Sequence, residues 1–444
     1  MTFTSSDRPP SESTVSKSRN PVYYGWMIVV VAAAAMVATL PGRTHGLGMI
    51  TERLLNDPAF NLNRVSYSNI NLWATLIGAA FCLPCGKLID RYGLRMMLTG
   101  TVLFLGVVVL AMTQLTGVAL LFVAITLTRG FGQSALSVVS ITMVGKWFSR
   151  KLSLAMAAYA VLMSLGFIGA SLWAKRYADA DWRVVWSTMG MFLLFGMVPL
   201  GWLLTRNSPE QCGLPLDGDK VPTRDTCDNV VGHTLMQAIR TPAFWVFGLS
   251  ISTYGLIASG VSLFNESILA ERGFSVAVYY NLLALTTAIA LTMKFPIGWL
   301  AQRLPLGRML GGAMVVLAAA LFYLPQVETQ PQLVLYALGM GISGAALTVL
   351  FFTIWGRAYG RAHLGRIQGA AQMMTVFASA FGPKILAECQ TRTGSYAPMF
   401  YTLAGIVSLL AVCAWFVPIP RPAQSEQFSH TQNSLNTLPL TQET

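Results

Sequence analysis

Charge is what this chain of 444 residues lacks, over stretch after stretch. No Asp, Glu, Lys or Arg falls in 20–42, 65–86, 96–128, 152–174, 184–205, 241–265, 273–293, 309–327, 329–356, 367–383 or 393–420. A helix needs roughly 20 mostly apolar residues to cross the hydrocarbon core of a bilayer. Without water there, only helices and closed barrels satisfy their own backbones. These runs are too long for barrel strands, so the pattern predicts an all-α, polytopic membrane protein. Acidic residues are scarce as well, 18 against 30 basic ones, and the only carboxylates close to the spans are Glu266 and Glu388, at their ends. No G-x-x-x-x-G-K-[ST] run is present, which excludes a nucleotide-driven pump of that type. Grouped nucleophiles, bases or metal ligands are missing from the spans, against an enzyme, and no cofactor is expected. The six cysteines are scattered; Cys82 and Cys85 form a C-x-x-C inside an apolar run, where cysteines act as small hydrophobes.

What remains can be counted. The long run 96–128 holds one span, a turn near Thr116-Gly117 and the start of another that carries Arg129. Twelve spans result, at 22–41, 66–86, 96–114, 118–144, 152–174, 184–204, 244–265, 276–299, 309–327, 331–355, 364–386 and 396–417. With the N-terminus placed inside, 19 of the 30 Lys and Arg fall in inner segments, 9 in outer loops, and two, Arg129 and Lys294, within spans. That is the bias expected of inner loops, and it predicts both termini in the cytoplasm of a cell in whose inner or plasma membrane the chain sits. The net charge of +12 is spread over these loops and not gathered on one face, which argues against a nucleic-acid partner. Residues 1–21 and 421–444 read as polar, disordered tails without a cleaved signal peptide.

The polar connector 206–240 divides six spans (22–205) from six (241–420), and sequence echoes cross it. Gly86-Lys-Leu-Ile-Asp-Arg-Tyr-Gly93 recurs as Gly298-Trp-Leu-Ala-Gln-Arg-Leu-Pro-Leu-Gly307. Gly130-Phe-Gly132 recurs as Gly339-Met-Gly341, and Gly145-Lys-Trp-Phe-Ser-Arg150 as Gly356-Arg-Ala-Tyr-Gly-Arg361. Each half has an even number of spans, so the two share one orientation. Parallel halves with a site at their interface are the plan of one large transporter class.

The segment 86–95, G-x-x-x-D-R-x-G-x-R, closely resembles the span 2–3 loop motif of the major facilitator superfamily. Gly86 and Gly93 suit close packing and positive φ. Asp90 is placed to accept from Arg91 or Arg95, or to face the N-terminus of a neighbouring helix. The resemblance implies that Asp90, Arg91 and Arg95, with Arg303 as the second-half counterpart, latch the inner gate. Further stretches are similar to the monocarboxylate and oxalate/formate branch: Tyr23-Tyr-Gly-Trp26, Gly145-Lys-Trp-Phe148, Ser208-Pro-Glu-Gln-Cys-Gly-Leu214, Phe244-Trp245, Tyr359-Gly-Arg-Ala-His-Leu-Gly365 and Gly382-Pro383.

Ionisable residues within spans are costly and point to function. Lys294 occupies the span 8 position where that branch carries a substrate-binding Arg; the competing reading is a cation that snorkels to the interface. Arg129, about 11 residues into its span at 1.5 Å each, lies near mid-membrane, either lining the cavity or bracing backbone. Arg43 and His45 close span 1, as cavity residues by resemblance or as solvated loop cations. Lys384 and Glu388, one turn apart, are expected to pair. The Asp of proton-coupled members is replaced by Ala290, so uniport or exchange stays open beside proton coupling. Asn71, Trp73, Tyr159, Asn265, Asn281 and Gln372 complete the cavity candidates. The expectation is a monomeric, alternating-access carrier of a small organic anion, with bilayer and substrate as its partners. The alternatives are an exporter of amphipathic or neutral compounds and a transporter-like sensor.

Overall fold

The computed structural model describes residues 23–60, 62, 64–177, 180–218 and 232–420. The tails at 1–21 and 421–444 lie outside the described residues. Among the described residues twelve principal helices follow one another, six before the connector and six after it. The first half holds α1 (Gly25–Val37), α2 (Ser66–Tyr92), α3 (Leu94–Met112), α4 (Val118–Trp147), α5 (Leu152–Lys175) and α6 (Trp182–Leu204). The second holds α7 (Pro242–Glu271), α8 (Val276–Arg303), α9 (Leu306–Tyr323), α10 (Gln330–Tyr359), α11 (Leu364–Thr393) and α12 (Ala397–Phe416).

Ten of the twelve are long and apolar enough to span a bilayer. The first is short and is extended by a 3-10 turn, Leu40–Gly42, which brings it to the expected length. The eleventh has 30 residues but carries Arg366, Lys384, Glu388 and Arg392. Large apolar side chains such as Phe195, Leu203, Leu409 and Phe416 stand exposed on the outside of the bundle. A surface of that kind suits hydrocarbon and not water.

Several spans depart from regular helix near the middle of the molecule. In α2 the backbone bends between Ala79 and Cys82. In α4 it widens to a π-turn over Arg129–Leu136, and in α6 over Phe192–Met197. Pro296 sits inside α8 and Pro383 inside α11, each removing one N–H from the helical ladder. Such breaks concentrate where a helix passes a functional site.

Within the second half α7 packs on α11, α8 on α10 and α9 on α12; within the first, α1 packs on α4 and α5. Between the halves α2 lies against α11 and α5 against α8. The echoed glycines sit at these two contacts. A Cβ on Gly86 would overlap the Gly365 carbonyl, and one on Gly298 would overlap Ala157. One motif thus serves the same purpose twice, as a repeat related by a two-fold axis requires.

Tyr23 and Ile419 lie at the end of the bundle that also carries 87–95, 145–152, 298–308 and 357–366, hereafter the termini end. Parts of the connector are docked there. Asp217, the one described non-glycine with positive φ (59°), accepts from the backbone N–H of Ser149, Arg150 and Lys151 at 3.0, 2.9 and 3.3 Å. On the other side His233 donates its backbone N–H to Tyr359 at 2.8 Å.

Candidate functional site

The site begins with Lys294 on α8. Its side chain is only 7% exposed. The ammonium donates to the Ala160 carbonyl at 3.2 Å and to the Ser164 hydroxyl, both on α5 of the other half. The four-carbon stem thus carries the ammonium to the α5–α8 contact between the halves. Lys294 also lines a cavity of about 320 Å³, with Tyr254, Asn265, Thr286, Tyr336 and Met340 among its walls. A volume of this size suits a small molecule.

Two further cations lie in the first half. Arg129 is 2% exposed. It donates to Thr44 at 3.0 Å, Gln133 at 2.8 Å and Asn71 at 3.0 Å, while its Nε finds no partner. Its partners are side chains of α2, α4 and the segment after α1, where the expected brace was to backbone. Arg43 is half-buried and not a solvated loop cation. It donates to Thr39 at 2.6 Å and Ser137 at 3.0 Å, and its guanidinium lies 5.5 Å from the Phe167 ring centroid. His45 is exposed and within 3.1 Å of the Ser171 hydroxyl.

One face of α5 meets three of these groups. Ala160, Ser164, Phe167 and Ser171 are spaced three or four apart, so they share a stripe. Lys294, Arg43 and His45 contact that stripe in order from the termini end outward. The partners of Lys294, Arg129 and Arg43 are all neutral, and among the described residues none of the three is in an ion pair. Buried positive charge without compensating acid raises the local potential and favours an anion.

The remaining candidates divide. Asn71 holds Arg129, and Asn265 lines the cavity. The Tyr159 hydroxyl is 2.8 Å from Ser140, buried in the first half. Trp73 and Asn281 are exposed, and Gln372 is buried with its Oε1 unpartnered.

At the termini end the loop motif is rearranged relative to expectation. Asp90, 6% exposed, pairs with Lys146 at 3.4 Å and with the Arg366 guanidinium at 3.7 Å, and accepts the Arg366 backbone N–H at 3.3 Å. It thus faces the N-terminus of α11, the second of its two expected placements, where the helix dipole favours a carboxylate. Arg91 and Arg95 do not reach it. Arg91 lies over Tyr92, and Arg95, beyond the Gly93 turn (φ 83°), donates to the Trp202 carbonyl at 2.7 Å and covers its ring. Arg303 lies 4.0 Å over the Trp299 ring of its own helix. Arg357 instead reaches the Ala301 carbonyl, and Ser153 at 3.4 Å. Arg361 donates to the Lys146 carbonyl at 2.6 Å and pairs with Glu210 at 2.8 Å. Burial raises the Glu210 carboxyl, but the hydrogen bond and charge of Arg361 outweigh it and hold the group below its ordinary value. Lys384 and Glu388 do not pair; Glu388 accepts from Arg392 at 2.5 Å. With the acid on the N-terminal side, that spacing is the favoured orientation for a helical pair.

The sequence reading passed over Lys146, Arg357, Arg361, Arg366 and Glu210 as gate residues, and Ser164, Tyr254 and Tyr336 as cavity residues. The first five lie in or beside motif stretches it had singled out. Nothing in the sequence marks the last three.

A family model described as Major Facilitator Superfamily matches residues 20–383 and, in a second match, 246–442. Among curated protein sequences none matches. Of solved structures, the human organic anion transporter MFSD10 (TETRAN) superposes with a TM-score of 0.64 at 16% identity, covering 89% of this chain and 100% of that one. FucP, a Major Facilitator Superfamily transporter in the outward conformation, superposes with a TM-score of 0.64 at 13% identity, covering 90% and 99%. Both likenesses are of fold.

Proposed function

The chain belongs to the Major Facilitator Superfamily, and on that premise we propose that it is a secondary transporter moving a small, monocarboxylate-like organic anion by alternating access. The observation that carries this reading is the set of three cations with neutral partners only, Arg129 and Lys294 buried and Arg43 half-buried, of which Lys294 borders the 320 Å³ cavity. A carboxylate entering there would supply the missing charge. Lys294 would bind it as a point cation without the bidentate geometry of Arg. Arg129 would act mainly as the brace of the first half, adding to the potential. Arg43 and His45 would meet the anion on its way in along α5.

The termini end would face the cytoplasm, consistent with its wealth of Lys and Arg. The halves are tied by hydrogen bonds at that end and at Lys294, which supports reading this arrangement as the outward-facing state of the proposed cycle. Its ties across the halves are Asp90 with Arg366, Arg361 with the Lys146 carbonyl and Arg357 with Ser153, while Lys146 steadies Asp90 within the first half and Glu210 of the connector pairs with Arg361. Rocking about the glycine contacts would open this end and close the other. The protein would work as a monomer in a cell membrane. With no acid paired to Lys294 among the described residues, uniport or exchange is favoured over proton symport. A reading as an exporter of amphipathic compounds draws on a second, apolar cavity of about 360 Å³ between α1, α5 and α6.

The deciding experiment is an uptake screen of small carboxylates in proteoliposomes, with and without an imposed pH gradient. Uptake lost in Lys294→Ala supports the anion carrier, and the gradient reports on coupling. Failure of every carboxylate, with uptake of neutral amphiphiles, would turn the assignment to the exporter.

A further inference from the structure

The walls of the 320 Å³ cavity come from α7, α8 and α10 of the second half, with a single exception. That exception is Ser164 of α5, whose hydroxyl takes the Lys294 ammonium. An ammonium has three N–H donors. Two are spent on Ser164 and Ala160, so the cation that borders the cavity is committed, in this state, to the opposite half. We propose that Ser164 is a positioning residue that parks Lys294 in the empty carrier, and that an entering carboxylate takes the ammonium over and so cuts the tie between α5 and α8. The inference rests on the anion reading above and deepens it.

The physical argument is one of competition. Ser164 and the carboxylate bid for the same N–H groups, so whatever holds the ammonium in the empty state lowers the apparent affinity for the anion. The tie also spans the two halves, 130 residues apart in sequence. Its loss on binding is therefore felt as freedom between α5 and α8, while the tight Gly298–Ala157 approach one turn further on remains as a pivot. An anion with no effect on that tie could not shift the balance between the two states. An anion that replaces it does so through one hydrogen-bonding group.

The test uses the full chain in nanodiscs, with wild type, Ser164→Ala and Ser164→Thr. Binding is measured for formate, acetate, lactate and pyruvate, and hydrogen–deuterium exchange is followed over 156–166 and 292–303 without ligand. A hydrogen bond to a charged group contributes enough that Ser164→Ala should bind the best of these anions about tenfold more tightly. It should also exchange faster in both segments when empty, whereas Ser164→Thr, which keeps the hydroxyl, stays near wild type. Weaker binding in Ser164→Ala would make Ser164 a direct ligand of the anion and overturn the proposal. So would unchanged affinity with unchanged exchange, since the Ala160 carbonyl would then suffice. If wild type itself binds none of the four, the anion reading falls and this inference with it. If wild type binds and Ser164→Ala binds no tighter, only the parking role falls.

Discussion

Asp90→Asn is the perturbation that separates a charge latch from an ordinary basic turn. The carboxylate lies 3.4 Å from Lys146 and 3.7 Å from Arg366, one cation from each half, and is 6% exposed. At an effective dielectric of about 20, each attraction is about 4–5 kcal/mol. Desolvation of the nearly buried carboxylate offsets much of it. Charge-assisted hydrogen bonds contribute about 1.5–3 kcal/mol net, with the longer distances here favouring the lower part of that range. The N-terminal dipole of α11 adds about 0.3–1 kcal/mol. Asn keeps the shape but leaves Lys146 and Arg366 facing each other uncompensated. The expected loss is about 2–3 kcal/mol of termini-end closure, or about a 30- to 150-fold shift towards separation of the halves at that end. Spin labels on Met96 and Leu304, both exposed at the termini end, read this as growth of a longer-distance population. A distance distribution identical to wild type would refute the latch. An identical response in Arg91→Gln would refute the partner assignment, because Arg91 does not touch Asp90.

Arg129→Ala strips Asn71, Thr44 and Gln133 of a shared donor and should lower stability by about 3 kcal/mol, seen as a lower thermal midpoint in detergent. An unchanged midpoint with abolished uptake would make Arg129 a substrate ligand and not a brace. Gly298→Leu places a side chain where Ala157 already sits, so the halves should part at the termini end; the Met96–Leu304 distance checks it, and a wild-type distance contradicts the close approach. The Glu210 carboxyl is held below its ordinary value of 4.5, so its pairing with Arg361 is fully present above that pH and is lost as pH falls through the lowered value. The same label pair should lengthen in acid, less so in Glu210→Gln, which has already lost the pair; equal pH responses would exclude Glu210 as the titrating group.

How much of this was legible in the sequence follows from the range of each interaction. The twelve spans came from local hydropathy alone, and their centres hold. Several ends hold too, as at Val118, Leu152, Leu204, Val276 and Leu364, but α7, α10 and α11 run to 30 residues and project past any apolar run. The glycines of the repeated motif were readable because close backbone approach excludes side chains wherever it occurs. The partner of Asp90 was not, since Arg91 is near in sequence but points to another side of the helix, whereas Arg366 is 276 residues away. Lys294 was found through the cost of a charge in a span. Its partners, a backbone carbonyl and a serine, carry no sequence signal that could have identified them. For Arg43 the sequence left a cavity residue and a solvated loop cation both open; the 3-10 turn at Leu40–Gly42 precedes it and its guanidinium lies by the Phe167 ring.

The central claim is that the cavity binds negative charge through Lys294. Equilibrium binding of a short monocarboxylate and of its uncharged amide, each to wild type and to Lys294→Ala, tests it most directly. The account predicts binding of the carboxylate to wild type only, with the amide binding weakly to both proteins. Equal binding of acid and amide, or retention of the acid by Lys294→Ala, would contradict it.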